Sequence, residues 1–219
     1  MNLPRPPRPC APPRPMSPRK PIIGIAGGIG SGKTYVAQLF GELGALVISS
    51  DDQVQQAYEL PQVKRTLREW WGDSVFLPTG QINKREVAHR VFADPQQRKR
   101  LEQLIHPLVA MARDELLANA QGDPTVKAFI WDTPLLFETG LDEQCDAVVF
   151  IDAPLPERLK RVAKQRHWDA AELERRENSQ MPLDTKRDLA DYVINNSANA
   201  DPVRDQVKRI FSHIVTTKN

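Results

Sequence analysis

The densest chemistry in the sequence is Gly27-Gly28-Ile29-Gly30-Ser31-Gly32-Lys33-Thr34, which satisfies G-x-x-x-x-G-K-[ST] in full. Glycines let successive backbone N–H groups converge on phosphate oxygens at the start of a following helix. Gly28, Ile29, Gly30, Ser31 and Gly32 would shape that cradle. Lys33 would put a point charge on the β- and γ-phosphates, and the Thr34 hydroxyl could ligate Mg²⁺. A Gly-rich turn can arise by chance. Here an apolar run precedes it and an amphipathic stretch follows, the context a phosphate loop requires. The pattern points to a nucleoside triphosphate bound with Mg²⁺.

Carboxylates come next. The run Ala128-Phe129-Ile130-Trp131-Asp132 is an apolar strand pattern ending in Asp, which could place Asp132 beside the metal; strands also end in Asp because it favours turns. Asp51, with Asp52, follows the apolar run 45–48. A carboxylate there could accept a hydroxyl proton as a phosphoryl group transfers, or cap a helix beginning near Val54, a role that suits Asp52 better. Arg158, Lys160, Arg161, Lys164 and Arg166 form a basic run without an intervening acid. Such a run could close over a triphosphate or simply be a solvated helix face. Arg175 and Arg176, interleaved with Glu172, Glu174 and Glu177, read as a surface helix laced with ion pairs.

The elements that must position these groups alternate. Apolar runs at 22–26, 45–48, 128–132, 147–151 and 192–195 read as buried strands, and a helical pattern at 33–43 ends at Gly44. Repeated β-then-α predicts a parallel sheet covered on both faces. Two gaps are too long for simple crossovers. The first holds helical patterns at 54–71, 84–92 and 95–119. In the last, Leu101, Leu104, Ile105, Leu108, Met111 and Ala112 share a face, and Pro107 should kink or break the helix. The second gap, 152–189, is charged and helical in pattern. Both read as insertions at strand C-termini, where substrates bind in open α/β sheets.

Composition narrows the field. The chain has 219 residues, 40% hydrophobic and 26% charged, ordinary for a globular protein. No apolar stretch is long enough to span a membrane. Two cysteines exclude a disulfide framework, and a net charge of +2 gives no sign of a nucleic-acid binder. That charge is uneven: residues 1–20 carry five basic residues and no acid, leaving −3 on the rest. Nine of the nineteen prolines lie within residues 1–21, so this tail is expected to be extended and disordered, with the fold starting near Pro21. It is either an unselected extension, or a ligand for a proline-binding domain or a weak contact to an anion.

A GTPase switch would need D-x-x-G, and no glycine here has an Asp three positions before it. A short chain with a phosphate loop and two insertions reads as a small-molecule kinase. From about Ile22 to Ser197 the chain resembles the dephospho-coenzyme A kinase family. The phosphate loop matches letter for letter. Val47-Ile48-Ser49-Ser50-Asp51 resembles V-I-D-A-D, Gly80-Gln81-Ile82-Asn83-Lys84 resembles G-x-L-N-R, and His106-Pro107 follows in order. Asp132-Thr133-Pro134-Leu135-Leu136-Phe137-Glu138 resembles D-x-P-L-L-F-E. Gln180-Met181-Pro182, Lys186, the run Ala190-Asp191-Tyr192-Val193-Ile194, and Asn196 complete the set. Ser49 replaces the first Asp of D-A-D, Lys84 stands where Arg is usual, and Arg166 falls one residue late.

The resemblance implies an adenylate-kinase-like P-loop kinase: a five-stranded parallel sheet with helices on both faces, a helical substrate domain and a lid. The core would be 21–53, 115–155 and 188–219, the substrate domain 54–114, and the lid 156–187. It implies ATP and Mg²⁺ as cofactors, dephospho-CoA as the small-molecule substrate, no nucleic-acid or membrane partner, and a cytoplasmic enzyme with a monomer favoured. By the same resemblance Asp51 and Lys33 are catalytic. The loop residues, Arg161 and Asn196 bind the nucleotide; Asp51, Lys84, His106, Pro134 and Leu135 face the substrate; Thr34 and Asp132 hold the metal. For His106, packing ahead of Pro107 is an equal alternative. Another alcohol kinase, or a nucleotide-binding regulator without catalysis, would share the loop.

Overall fold

A computed structural model describes residues 19–197 and 200–218. The expected structure of the proline-rich tail therefore falls outside the described residues up to residue 18. Arg19 and Lys20 belong to the fold. Arg19 Nη2 meets Asp146 Oδ1 at 2.5 Å, and Lys20 Nζ donates to the carbonyls of Ala120 and Asp123.

The five apolar runs form strands β1 (Ile22–Gly27), β2 (Ala45–Ser49), β3 (Ala128–Asp132), β4 (Ala147–Asp152) and β5 (Tyr192–Asn195). They make one all-parallel sheet in the order β2-β3-β1-β4-β5. Alternation sorts β1 between two faces. Ile23 and Ile25 join a core covered by helix α1 (Lys33–Glu42), through Val36, Ala37 and Phe40, and by helix α9 (Ala200–Lys218), through Val203, Val207 and Phe211. Ile22 and Ala26 face the other way, onto Phe129, Trp131, Leu136 and Phe150. Strands β3 and β4, consecutive along the chain, flank β1, so their connections diverge over its carboxyl end, where open α/β sheets hold ligands.

The first insertion has its own core. Helices α2 (Ser50–Glu59), α3 (Pro61–Trp71), α4 (Lys84–Ala93) and α5 (Pro95–Gln121) pack Ala57, Val63, Leu67, Val87, Leu101 and Ile105 together, with Val75 and Ile82 from the connections. The helical pattern expected at 54–71 is two helices. Pro61 forces Leu60 into an extended conformation (φ −62°, ψ 131°) and begins the second helix. The first helix starts at Ser50, earlier than Val54, because Ser49 Oγ caps it by accepting Asp52 N–H at 3.2 Å. Pro107 does not break α5, which runs through it. Of the apolar face expected on α5, Met111 is 69% exposed. At 3.6 residues per turn, it has rotated off the face that holds Leu101 and Ile105. The second insertion is α6 (Leu155–Arg166), α7 (Ala170–Glu177) and α8 (Leu183–Leu189).

Candidate active site

The phosphate loop leaves β1 at Gly27 and enters α1 at Lys33. Two glycines are required by shape. Gly30 has φ 77°, and a Cβ there would meet the Arg158 carbonyl at 2.9 Å; Gly32 has φ 91°, and a Cβ would meet Asn196 Nδ2 at 2.3 Å. The outer side of the loop is braced through its carbonyls. Asn196 Nδ2 donates to Ser31 O at 2.7 Å, and Arg161 Nη1 donates to Ser31 O at 3.0 Å and Gly30 O at 3.3 Å. A trans peptide points its N–H opposite to its C=O, so the Ser31–Gly32 peptide turns the Gly32 N–H away from this brace. The first-turn amides of α1 also have no acceptor within the helix. The result is a donor edge fit for phosphate oxygens.

That edge lines a cavity of about 850 Å³ with Ile29, Gly30, Gly32, Lys33 and Thr34 on one side. Ser49 and Asp132 end β2 and β3, Asp51 and Asp52 lie in the first turn of α2, Pro134 follows β3, and Phe92 comes from α4. Lys33 Nζ donates to Gly27 O at 2.9 Å and Gly28 O at 3.0 Å. Burial pulls its ammonium down to about 8, opposed by the Asp132 carboxylate. Thr34 Oγ1 donates to Asp132 Oδ2 at 2.9 Å. Burial raises the Asp132 carboxyl above its ordinary range, opposed by that hydrogen bond and by Lys33. A hydroxyl and a carboxylate oxygen side by side at the mouth of a phosphate loop are the hard oxygen donors Mg²⁺ takes, so these residues fit the ion.

The remaining wall is the second insertion. Gln165, Arg166, Trp168, Arg175, Arg176, Ser179 and Gln180 all line the cavity. His167, with φ 56°, ends α6 in a left-handed turn, and Asp169 caps α7 by accepting Glu172 N–H at 2.8 Å. This corner sets Trp168 against two guanidiniums, with Arg166 Cζ 4.9 Å and Arg176 Cζ 4.1 Å from the ring. Glu172 holds Arg175 through two 2.9 Å hydrogen bonds and Arg176 through one of 2.6 Å. Arg175 and Arg176 are thus both ion-paired, as their spacing suggested, and turned toward the cavity.

Other expected residues sit elsewhere. Arg158 is buried and faces away from the cavity. Its Nη1 pairs with Glu177 Oε1 at 2.5 Å and donates to Ile29 O at 3.3 Å, while the same Glu177 oxygen accepts Ile29 N–H at 3.1 Å. Arg161 and Asn196 hold the loop from behind and do not line the cavity. Lys84 and His106 are exposed on α4 and α5, and Leu135 is half-buried; none of the three borders the cavity, whereas Pro134 does. Asp51 and Asp52 both border it, one turn inside the cap made by Ser49, so neither is the helix cap. Sequence reading missed Trp168, whose position in no motif marked it. Glu138 and Lys186, far apart in sequence, meet: Lys186 is 1% exposed and its Nζ lies 2.8 Å from Glu138 Oε1, which also accepts Met181 N–H at 2.9 Å. That pair ties the second insertion to the loop after β3.

Comparison with known proteins fits this geometry. Residues 21–201 match the family described as Dephospho-CoA kinase. A dephospho-CoA kinase of Syntrophotalea carbinolica is 39% identical over 89% of this chain and 92% of its own length. One of Anaeromyxobacter dehalogenans is 34% identical over 88% of this chain and 92% of its own. A solved Thermus thermophilus structure superposes with a TM-score of 0.78 at 31% identity, covering 89% of this chain and 98% of that one. The fold is also that of the dephospho-CoA kinase of Campylobacter jejuni, at a TM-score of 0.67, 21% identity and coverage of 89% and 97%. With a family match over most of its length and a phosphate loop facing a carboxylate-lined cavity, the chain belongs to the dephospho-CoA kinase family.

Proposed function

We propose that this chain transfers the γ-phosphoryl group of ATP to the ribose 3′-hydroxyl of dephospho-CoA, giving coenzyme A, as a cytoplasmic monomer. The observation that carries the reading is one cavity shared by the amide edge of the loop, Lys33, Asp132 and Asp51. The loop amides and Lys33 hold the donor phosphates. Thr34 and Asp132 would hold Mg²⁺, whose chemistry when bound is to offset charge on those phosphates. Asp51, exposed on the cavity wall, orients the acceptor hydroxyl and takes its proton. Residues 54–114 serve as the substrate domain and 156–187 as the lid. Arg166, Arg175 and Arg176 bring positive charge to the side opposite the loop, and lid closure excludes water that would compete as acceptor.

The test couples ATP consumption to product formation across a panel of alcohol acceptors. Dephospho-CoA should be the preferred acceptor, with one CoA formed per ATP. Asp51→Asn keeps size but removes the basic lone pair, so turnover should fall by about 10²–10⁴-fold with ATP affinity within a few-fold. Asp52→Asn should be mild, since its backbone N–H, the group Ser49 caps, is unchanged. Uncoupled ATP hydrolysis, or a preferred acceptor without the dephospho-CoA ribose, would overturn the reading. An active Asp51→Asn would remove Asp51 as the base.

A further inference from the structure

Helix α5 links two packing units. Leu101 and Ile105 belong to the core of the first insertion, and Leu117 and Ala120 pack on the sheet. Arg113 lies between them, four and seven residues before the two sheet contacts and therefore on their face of the helix. Its Cζ is 4.6 Å from the ring centroid of Trp131, the residue that precedes Asp132 at the end of β3. The Arg113 side chain is 11% exposed, and its Nε is buried without a hydrogen-bond partner. Among the described residues its acid is Asp114, at 3.8 Å, whose side chain is 70% exposed.

Helix α2 brings a second orphan to the same seam. Gln53 sits between Ser50, whose hydroxyl meets Thr133 Oγ1 at 2.6 Å at the sheet edge, and Ala57 in the insertion core. It is 3% exposed, and neither atom of its amide has a partner. Buried polar groups are almost always paired, and a stranded guanidinium or amide lowers stability. Arg113 Nε and both polar atoms of the Gln53 amide are thus left without partners where the first insertion meets the sheet, and a bound polar group could satisfy them.

We infer that Arg113 is the anion subsite of the acceptor and takes the 5′-diphosphate of dephospho-CoA, with Gln53 as a polar contact in the same seam. The assignment rests on dephospho-CoA being the acceptor. The diphosphate is attached to the ribose that presents the reacting 3′-hydroxyl, so its cation must lie about one sugar from Asp51 and Asp132. None of Arg113, Lys84 and His106 borders the cavity that holds Asp51 and Asp132, so the diphosphate would extend past its wall; Arg113 is packed on Trp131, the residue next to Asp132, whereas Lys84 and His106 are open to solvent. A guanidinium fork also suits a diphosphate better than an ammonium does.

Arg113→Met keeps a side chain over Trp131 and removes the charge. Steady-state kinetics in both substrates, with calorimetric titration of dephospho-CoA in the absence of ATP, read the effect. The KM and Kd for dephospho-CoA should rise about 10- to 100-fold, the loss of one charge-assisted contact. The KM for ATP should stay within about twofold and kcat within about threefold. Arg113→Lys should recover part of the affinity, and it supplies the same comparison if Arg113→Met does not fold. Gln53→Leu should weaken dephospho-CoA while raising the melting temperature, because an unpartnered buried amide is gone. A dephospho-CoA KM unchanged in Arg113→Met, or both KM values rising together, overturns the subsite. A wild-type protein that makes no CoA overturns the function instead.

Discussion

Replacing Glu177 by Gln isolates the ion pair that joins the second insertion to the phosphate loop. Gln keeps the size and can still accept the Ile29 N–H, now 3.1 Å from Glu177 Oε1. It removes the negative charge 2.5 Å from Arg158 Nη1. Arg158 is only 8% exposed along its side chain and its Nε has no partner, so the charge left behind is poorly hydrated. Breaking a buried pair from one side costs about 3–5 kcal/mol. The 19% exposure of Glu177 lets some water in and puts the cost near the lower bound. Arg158→Met strands only a carboxylate that still has the Ile29 amide, and should cost about 1–2 kcal/mol. The double variant has no stranded charge and should cost no more than about 2 kcal/mol, so the single costs should exceed it together by about 2–3 kcal/mol. Guanidinium unfolding of the four proteins at pH 7 measures this coupling. The KM for ATP, measured in parallel, should rise several-fold in Glu177→Gln, because the pair holds both the N–H and the C=O of Ile29. Additive single costs with unchanged ATP kinetics would falsify this account of the contact between the second insertion and the phosphate loop.

Other outcomes follow from the same geometry. Lys33→Ala should lower turnover by orders of magnitude while the protein remains folded; near-normal turnover would remove the loop as donor site. Trp168→Leu should cut kcat about 5- to 30-fold, the worth of two guanidinium–ring contacts, with Trp168→Phe within about threefold of wild type and equal melting temperatures. Equal loss in both variants would mean the ring merely fills space. A chain beginning at Arg19 should keep its melting temperature and kinetics. One beginning at Pro21 loses the Arg19–Asp146 pair and the two Lys20 contacts, and should lose about 1 kcal/mol of stability. A larger loss from the first truncation would show that residues before Arg19 pack on the fold.

The sheet was legible because β1, β3 and β4 are buried on both faces and read as unbroken apolar runs, and the half-buried edge strands β2 and β5 keep short ones; the five expected runs are all strands. The donor loop was legible because backbone geometry restricts its residue types at fixed spacing. The helices after β2 were harder. Apolar periodicity continues across Leu60-Pro61, so the break showed only in Pro61 itself, and Ser49 was read as a lost Asp when its hydroxyl caps α2. Charge was the least legible. Arg158 and Arg161 belong to one basic run with Arg166, yet helical rotation sends the first two behind the loop and the third into the cavity. The burial of Arg113 and the ring beneath it depend on packing between α5 and β3, distant in sequence, which no local pattern encodes.

Pro107 gives α5 a mechanical character that the rest of its 27 residues lack. A proline brings no N–H, so the carbonyl one turn earlier, that of Gln103, has no rung to hold. Bending the helix elsewhere breaks a hydrogen bond; bending it at this turn breaks none. The weak turn, 103–107, lies within the stretch packed on the insertion core, which runs on to Leu108 and Val109, while Leu117 and Ala120 further along pack on the sheet. Helix α5 is therefore softest inside the insertion core and stiff across its junction with the sheet. Twelve residues of helix precede Pro107, so a tilt of about 10° swings the far end by about 3 Å. Arg113 and Trp131 lie beyond the soft turn, on the sheet side of Pro107.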